Sequence, residues 1–208
     1  MRIGIYGGTF DPIHFGHLNL ALEIAETRSL DQVWFCPAWR NPFKTDLKVT
    51  SAEDRLEMLK LALSDIPQFQ ILEDEILREG SSYTIDTLRA LISREKGKTN
   101  PNQYFLIIGD DAILRFPQWK EAEEIIKLVP VFIGRRSLSD IDIDLQGLQA
   151  SDEMKYCLQK GMTNTHVMDI SATMIRKRLA AGQYCGHLIP AKALLYVKKK
   201  RLFKNNLV

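Results

Sequence analysis

Short apolar runs alternate with longer amphipathic runs along the whole chain. A short apolar run bounded by glycine or proline is typical of a buried strand, whereas apolar residues three and four apart are typical of a helix. The predicted strands are Ile3–Tyr6, Gln32–Cys36, Phe69–Leu72, Gln103–Ile108, Val129–Gly134 and Thr165–Met168. The predicted helices are Leu18–Ala25 with a start near Gly16, one beginning near Thr50 with a Thr50–Glu53 capping box, Tyr83–Ser93, Ala122–Leu128, Ser171–Ala181 and Pro190–Lys200. This alternation predicts an α/β fold, an open and mostly parallel sheet with helices on both faces.

One segment departs from the alternation. Residues 137–164 are polar and only weakly periodic, and we interpret them as a variable surface excursion. The chain of 208 residues is long enough to bury one core without disulfides or metals. We therefore predict a single domain over residues 1–208 that carries this excursion.

Composition and charge exclude several classes of protein. Lys and Arg number 28 against 26 Asp and Glu, which leaves a net charge of +2 and no broad basic face for nucleic acid. The basic run Lys198–Arg201 complements the dipole at the end of a predicted helix. The three cysteines, Cys36, Cys157 and Cys185, are far apart and form no CxxC pair, so we expect neither a disulfide framework nor a structural zinc site.

The N-terminus has no signal-peptide pattern, because glycines interrupt its apolar run after a few residues. No apolar run is long enough to span a bilayer, so no membrane partner is expected. A reducing, cytoplasmic location is the expectation that follows. The oligomeric state stays open, with a homodimer as one alternative.

Ligands of parallel sheets bind beyond the carboxyl ends of the strands. Candidate chemistry is therefore expected just after Tyr6, Cys36, Ile108, Gly134 and Met168. Two of these positions, after the first strand and after the last, carry side chains suited to an anion.

The first candidate follows the first strand and ends at a helix start. Gly7 and Gly8 let backbone N–H groups approach a bound group, and Gly16 permits a tight turn into the helix. A helix N-terminus favours phosphate, and His14 and His17 can donate hydrogen bonds to phosphate oxygens there. Two alternatives remain: ordinary surface histidines in a tight turn, or a zinc pair, which is weaker because the other histidines are distant.

The second candidate follows the last strand. Ser171 is a natural N-cap, Thr173 adds a hydroxyl in the first turn, and Arg176 can reach an anion with its forked donors. An ordinary capped surface helix is the alternative. Taken together, two such helix ends can clamp a triphosphate. No nucleophile with an activating base is evident, and GxGxxG is absent, so covalent catalysis and a dehydrogenase are both disfavoured.

These residues carry a resemblance to a known family. The segment from Gly8 to His17 resembles the GTFDPxHxGH signature of the nucleotidyltransferase superfamily, and the segment from Ile170 to Arg176 resembles its ISxTxIR motif. Further segments are similar to bacterial nicotinate-nucleotide adenylyltransferases: Ser82-Tyr83-Thr84-x-x-Thr87-Leu88, Ile107-Ile108-Gly109-x-Asp111, Phe116-Pro117-x-Trp119 and Gly134-Arg135-Arg136. The resemblance implies a Rossmann-like, HUP-type nucleotidyltransferase fold. It also implies transfer of AMP from ATP to nicotinate mononucleotide in NAD biosynthesis, with Mg²⁺ as cofactor and pyrophosphate as second product.

The resemblance also implies roles for individual residues. Catalytic roles fall to His14, His17 and Arg176, which would stabilise charge on the phosphates without a covalent intermediate. ATP binding falls to Gly8, Thr9, Phe10, Gly16, Ser171, Thr173, Gly109, Asp111 and Arg135. Acceptor binding falls to Lys44, Tyr83, Thr84 and Trp119, with the tryptophan stacked on the pyridine ring. No protein ligand for the metal is implied.

Taken singly, several of these residues have ordinary structural explanations. An aromatic residue such as Trp119 in a loop is usually a packing anchor, and Tyr83, Thr84 and Asp111 can simply begin helices. The chain also departs from the family, because Phe43 stands where a histidine often precedes the lysine. Phenylalanine cannot hydrogen-bond a phosphate or a carboxylate, so the details of acceptor binding are open.

Three alternative functions differ from this reaction in acceptor, in activity or in architecture. A related adenylyltransferase would use nicotinamide mononucleotide or phosphopantetheine as acceptor. A non-catalytic nucleotide-binding module would be expected to lack at least one of the charge-stabilising groups. A ligase-like activating domain, as in class I aminoacyl-tRNA synthetases, would need a tRNA-binding domain and a KMSKS-like motif, for which the chain has no room and no match.

Overall fold

A six-stranded sheet is the centre of the computed structural model, which describes residues 1–43, 49–135, 145 and 147–204. The strands are β1 (Arg2–Gly8), β2 (Gln32–Pro37), β3 (Phe69–Ile71), β4 (Gln103–Gly109), β5 (Val131–Gly134) and β6 (Met162–Thr163). The helices are α1 (Phe15–Thr27), α2 (Ala52–Leu63), α3 (Asp74–Arg78), α4 (Thr84–Glu95), α5 (Ala122–Leu128), α6 (Asp152–Gly161), α7 (Ala172–Ala180) and α8 (Ala191–Lys199). A 3-10 helix, Asp110–Gln118, follows β4.

The sheet is parallel throughout, with the strand order β3-β2-β1-β4-β5-β6. The chain moves outward from β1 through β2 to β3, then returns to the other side of β1 as β4. Connections that leave neighbouring strands in opposite directions open a crevice at the carboxyl edge of the sheet. The predicted α/β fold with an open parallel sheet is confirmed.

Helices cover both faces of the sheet, as predicted. In β4, Phe105 and Ile107 pack into one core, whereas Leu106 and Ile108 pack into the other. Helices α1, α2, α7 and α8 contribute to the first core, and α4, α5 and α6 contribute to the second. Each large apolar side chain buried in this way contributes roughly 1.5–3 kcal/mol to folding. No helix among the described residues is long and apolar enough to span a bilayer.

The start of α2 differs from the prediction by one residue. Ser51, not Thr50, is the N-cap, and its side-chain oxygen accepts a hydrogen bond from the Asp54 N–H at 3.1 Å. The Thr50 N–H instead donates to the Asp11 carboxylate at 3.3 Å. Two adjacent residues can each cap a helix, and here a contact with a distant loop decides between them. The short α3 and the 3-10 helix were not predicted.

The prediction of a surface excursion over residues 137–164 is wrong for residues 152–163. Helix α6 and strand β6 occupy them, and Met154 and Leu158 of α6 are buried in the second core. A side chain at Gly161 would collide with the Val131 carbonyl, so glycine lets α6 end against β5. Polar residues between the buried positions mask this pattern in the sequence. Residues 136–144 and 146 lie outside the described residues.

The last predicted strand, Thr165–Met168, is also displaced, because β6 is Met162–Thr163. Residues 164–170 follow β6 as irregular backbone. Thr165 nevertheless continues along β5, since its hydroxyl accepts a hydrogen bond from the Arg135 N–H at 2.9 Å. The prediction of one domain over residues 1–208 stays a prediction.

A substitution in α6 tests whether this helix is part of the core. We expect Leu158→Ala to lower the free energy of unfolding by about 2–5 kcal/mol, because it removes a fully buried side chain. Tyr156→Ala in the same helix is the control, because that side chain is 64% exposed, and its effect should stay near 0.5 kcal/mol. The measurement is urea unfolding followed by circular dichroism. Equal small effects would mean that α6 contributes nothing to the core.

Candidate active site

The turn between β1 and α1 brings two histidines together. His14 is the N-cap of α1 in an extended conformation, and His17 lies one turn into the helix. Their rings stack with centroids 3.6 Å apart and an interplanar angle of 28°. Residues three apart on a helix share a face, so the spacing read from the sequence produces this pair.

Both histidines are buried, with His14 0% and His17 7% exposed. The alternative of two ordinary surface histidines is therefore wrong. Gly16 makes the arrangement possible, because a Cβ there would lie 3.1 Å from His14 Nδ1 and 3.2 Å from the Met168 carbonyl oxygen. The segment after β6 thus lies directly against the start of α1.

The turn itself contains a residue in the left-handed region. Phe10 has a φ of 49°, a conformation that costs a non-glycine residue on the order of 1–3 kcal/mol. Its ring packs edge-on against Tyr6 and His17, with centroids 5.6 and 5.1 Å away. A Cβ at Gly8 would lie 2.8 Å from this ring, so glycine is required for Phe10 to fold back over β1.

The start of α7 lies beside this turn. Ser171 caps α7 by accepting a hydrogen bond from the Met174 N–H at 3.2 Å, as predicted. Arg176 donates from Nη1 to the Asp11 carbonyl oxygen at 2.7 Å and from Nη2 to Thr173 Oγ1 at 3.2 Å. The structure therefore joins the two motifs through a direct contact between Arg176 and Asp11, which are 165 residues apart in the sequence.

Gly109, Asp111 and Arg135 lie at the carboxyl ends of β4 and β5. Gly109 pairs with Gly134 in the sheet, and the 3-10 helix begins immediately after it. Asp111 and Arg135 are both exposed. These predicted nucleotide-binding residues thus share one edge of the sheet with the histidine pair.

A cavity of about 620 Å³ opens beside the turn. Gly8, Tyr83, Thr84 and Trp119 all line it, so the structure brings three predicted acceptor residues to one place. Tyr83 is the N-cap of α4 and Thr84 its first residue, which leaves the N–H groups of the first turn near the cavity. Pockets of 300–1,000 Å³ are typical of small-molecule sites.

Two aromatic residues of this cavity, Trp119 and Tyr83, also contact neighbouring side chains. Trp119 is half-buried and packs on Phe116, with ring centroids 5.2 Å apart. The Lys120 ammonium lies 4.7 Å from the centroid of the Tyr83 ring and forms an ion pair with Asp86 at 3.0 Å. Packing on Phe116 explains part of the position of Trp119, which also lines the cavity.

Glu75 lines the same cavity and was not predicted. Its side chain is buried, and Oε1 accepts a hydrogen bond from the Thr87 hydroxyl at 2.8 Å. Burial raises the pKa of Glu75, while hydrogen bonds from Thr87 and Ser82 act in the opposite direction. Burial, followed by the nearby Glu75 charge, raises the pKa of the Cys36 thiol well above its usual range. No sequence signal marked Glu75, because the helix that carries it has five residues.

Arg55 of α2 is the second residue that was not predicted. It is 1% exposed and donates hydrogen bonds to three backbone carbonyls around the site. One signal could have found it: Arg55, Met58, Leu59 and Ala62 share one helical stripe, so a charged residue occupies a core position.

The comparisons with known proteins agree with this geometry. A family model described as cytidylyltransferase-like matches residues 5–178. A probable nicotinate-nucleotide adenylyltransferase of Dehalococcoides mccartyi is 38% identical over 209 residues, which cover 98% of this chain and 97% of the relative. One of Geobacillus kaustophilus is 37% identical over 203 residues, which cover 97% of this chain and 86% of the relative. The chain belongs to the nicotinate-nucleotide adenylyltransferase family.

Solved structures show the same fold. The nicotinic acid mononucleotide adenylyltransferase of Plasmodium falciparum complexed with NaAD matches with a TM-score of 0.74 at 19% identity, over 100% of this chain and 99% of that one. A putative nicotinate-nucleotide adenylyltransferase of Vibrio parahaemolyticus matches with a TM-score of 0.68 at 16% identity, over 99% and 97%. The predicted nucleotidyltransferase fold is confirmed.

The departure from the adenylyltransferase pattern lies at the mouth of the cavity. Phe43, which stands where the family often has histidine, lines the cavity and is 42% exposed. Its N–H donates to the Asn41 side-chain oxygen at 2.9 Å, which forms a tight turn. Lys44, predicted to bind the acceptor, lies outside the described residues.

A glycine substitution tests the packing of the histidine pair. Alanine normally stabilises a helix relative to glycine by up to about 1 kcal/mol, but Gly16→Ala should destabilise the protein by about 1–3 kcal/mol because its Cβ presses on His14. The imidazole NMR resonances of His14 and His17 should shift in the same variant. Gly7→Ala is the control, since a Cβ there meets no atom within 4 Å. Unchanged imidazole resonances in Gly16→Ala would contradict the described packing.

Proposed function

We propose that the protein transfers the AMP group of ATP to nicotinate mononucleotide, which yields nicotinate adenine dinucleotide and pyrophosphate. One observation carries the proposal. The N-termini of α1 and α7 are linked by the hydrogen bond from Arg176 to Asp11, and they lie beside a cavity lined by Tyr83, Thr84 and Trp119. Phosphate-complementary donors and an aromatic pocket are what two nucleotide substrates of this reaction need. Names of the curated relatives add independent support.

The histidine pair and the two helix ends form the donor half of the site. An oxygen of the acceptor phosphate attacks the α-phosphorus of ATP, and the bond from that phosphorus to the bridging oxygen breaks to release pyrophosphate. Negative charge gathers on the phosphoryl oxygens during this step. His14, His17 and Arg176 are placed to stabilise that charge, and the buried position of the rings strengthens their interaction. Neither a nucleophile nor a covalent intermediate is needed.

The cavity beside α4 forms the acceptor half. The pyridine ring stacks on Trp119, and its carboxylate lies at the first turn of α4, where the N-terminal end of the helix dipole favours an anion. The Lys120 ammonium lies close to the Tyr83 ring and balances the charge of Asp86 in the same turn. A carboxamide gains less from a helix N-terminus than a carboxylate does, so we expect the acid to be preferred to the amide.

We also propose that Mg²⁺ enters the site on ATP. The described residues contain no group of three or more His, Cys, Asp or Glu side chains able to hold a metal. Imidazole, guanidinium and hydroxyl donors around the turn suit phosphate oxygens, whereas Mg²⁺ is commonly held by phosphates, waters and few protein groups. Bound there, the ion would neutralise part of the triphosphate charge. The cytoplasmic location expected from the sequence stays a prediction.

Pyrophosphate release provides the direct test of the proposed reaction. The protein is incubated with ATP and Mg²⁺ and with one acceptor: nicotinate mononucleotide, nicotinamide mononucleotide or phosphopantetheine. We expect the highest kcat/KM with the acid, and no turnover when the metal is removed with EDTA. Turnover only with another acceptor would reassign the substrate, and none with any acceptor would favour a non-catalytic nucleotide-binding module.

Removal of one histidine tests the donor half. We expect His17→Ala to lower kcat on the order of a hundredfold or more, because it removes a donor that stabilises the transition state. His187→Ala is the control, since that ring is exposed and lies against Tyr184 at the surface. A kcat within a few-fold of wild type in His17→Ala would refute the assigned role.

A change at Trp119 tests the acceptor half. Stacking of a base on an aromatic side chain is worth about 1–3 kcal/mol, so Trp119→Ala should raise the KM for the mononucleotide roughly 5- to 150-fold. The KM for ATP should change little. Trp119→Phe keeps an aromatic face and should recover part of the loss. Equal effects on both KM values would show that Trp119 acts through packing alone.

A further inference from the structure

Arg55 reaches three separate loops from inside the core. Its Nη1 donates to the Thr9 carbonyl at 2.9 Å, Nη2 to the Trp39 carbonyl at 3.2 Å and Nε to the Thr50 carbonyl at 3.1 Å. Thr9 follows β1, Trp39 follows β2, and Thr50 precedes α2. One guanidinium group therefore sets the relative positions of the segments that leave two neighbouring strands at the carboxyl edge.

The environment of Arg55 is unusual for a charged side chain. All three hydrogen-bond acceptors are main-chain carbonyls, and the side chain is among the largest that are fully buried. Burial lowers the pKa of Arg55, and the charges of Asp11 and Glu53 oppose this effect. A buried charge is costly, and an apolar side chain of similar volume often stabilises a core better. Stability alone is therefore a weak explanation for an arginine at this position.

The contacts of the turn from Thr9 to Asp11 suggest a positional role for Arg55. Arg55 holds the carbonyl of Thr9, and Arg176 holds the carbonyl of Asp11, at 2.9 and 2.7 Å. Between these two carbonyls lies Phe10, whose left-handed backbone persists only if the surroundings fix it. Arg176 therefore hydrogen-bonds the turn from α7, and Arg55 hydrogen-bonds it from α2 in the core.

We propose that Arg55 is a positioning residue for adenylyl transfer, whose planar fork fixes the Thr9–Asp11 turn relative to the mouth of the acceptor cavity. The proposal rests on the proposed function. Thr9 lies on the donor side, whereas Trp39 lies between Ala38 and Asn41, which both line the cavity. Arg55 thus aligns the two substrates with one another and touches neither of them.

This placement predicts an effect on kcat rather than on binding. In-line attack requires the acceptor oxygen and the α-phosphorus at a defined separation, and a displacement of about 1 Å can cost on the order of a hundredfold in rate. Each substrate still meets its own subsite when Arg55 is changed. The loss should therefore leave both KM values nearly as they are.

Two substitutions of Arg55 distinguish the effect of the planar guanidinium group from the effect of its charge. Arg55→Lys keeps the charge, but one ammonium nitrogen cannot reproduce the spacing of three nitrogens over three carbonyls. Arg55→Met keeps an unbranched apolar stem and removes both the guanidinium group and its charge. We expect kcat to fall about a hundredfold in both variants, with each KM within about threefold of wild type. Lys60→Met is the matched control, because Lys60 lies on the same helix, is 49% exposed and should leave kcat unchanged.

Hydrogen exchange provides a readout that does not depend on activity. In Arg55→Lys, peptides covering residues 7–13 and 36–42 should exchange at least tenfold faster, whereas α6 should exchange as in wild type. Uniformly faster exchange, or a kcat within threefold of wild type in both variants, would overturn the proposal. If wild type itself lacks the proposed activity, the exchange result still decides whether Arg55 fixes the turn. Where a variant unfolds at assay temperature, both measurements are made at a temperature at which its circular dichroism is native.

Discussion

Pairing of β1 with β2 on one side and β4 on the other is the constraint on which the site depends. The chain must leave β1 and β4 in opposite directions, and this divergence opens the carboxyl edge between them. The phosphate-complementary turn follows β1, and the aromatic cavity is bordered by the connection after β4. On the proposed function, the donor and acceptor subsites are neighbours because the strands that carry them, β1 and β4, are hydrogen-bonded to each other.

Electrostatics at this edge are local. A net charge of +2 gives no hint of anionic substrates. Two helix N-termini, a pair of buried rings and the guanidinium of Arg176 meet around the turn between β1 and α1. Low dielectric and fixed geometry make each donor there more effective than it would be in water. Several other charged groups in the described part of the chain form exposed pairs such as Lys192 with Asp65, which contribute little to stability.

Elements with a strong local signal could be predicted from the sequence, and those decided by tertiary contacts could not. Ala122–Leu128 was predicted with its observed bounds, because apolar periodicity defines it. Helix α6 was missed because polar residues dilute its stripe, and β6 because a two-residue strand has no pattern of its own. Motifs located the histidine pair and Arg176. Their burial and contact with Asp11 depend on chain crossings that no local pattern encodes.

Glu75 shows why the wall of the acceptor cavity needs several polar groups. A carboxyl group beside a site for an anionic substrate would oppose binding if its charge were uncompensated. Burial favours its neutral form, the Thr87 and Ser82 hydroxyls donate to it, and Arg78 lies near. Thr87 and Ser82 thus hold the Glu75 carboxyl group within the protein. The first turn of α4, where Asp86 is paired with Lys120, borders the same cavity. On the proposed function, burial that favours the neutral form, together with the hydrogen bonds from Thr87 and Ser82, limits the repulsion between this carboxyl group and an anionic substrate.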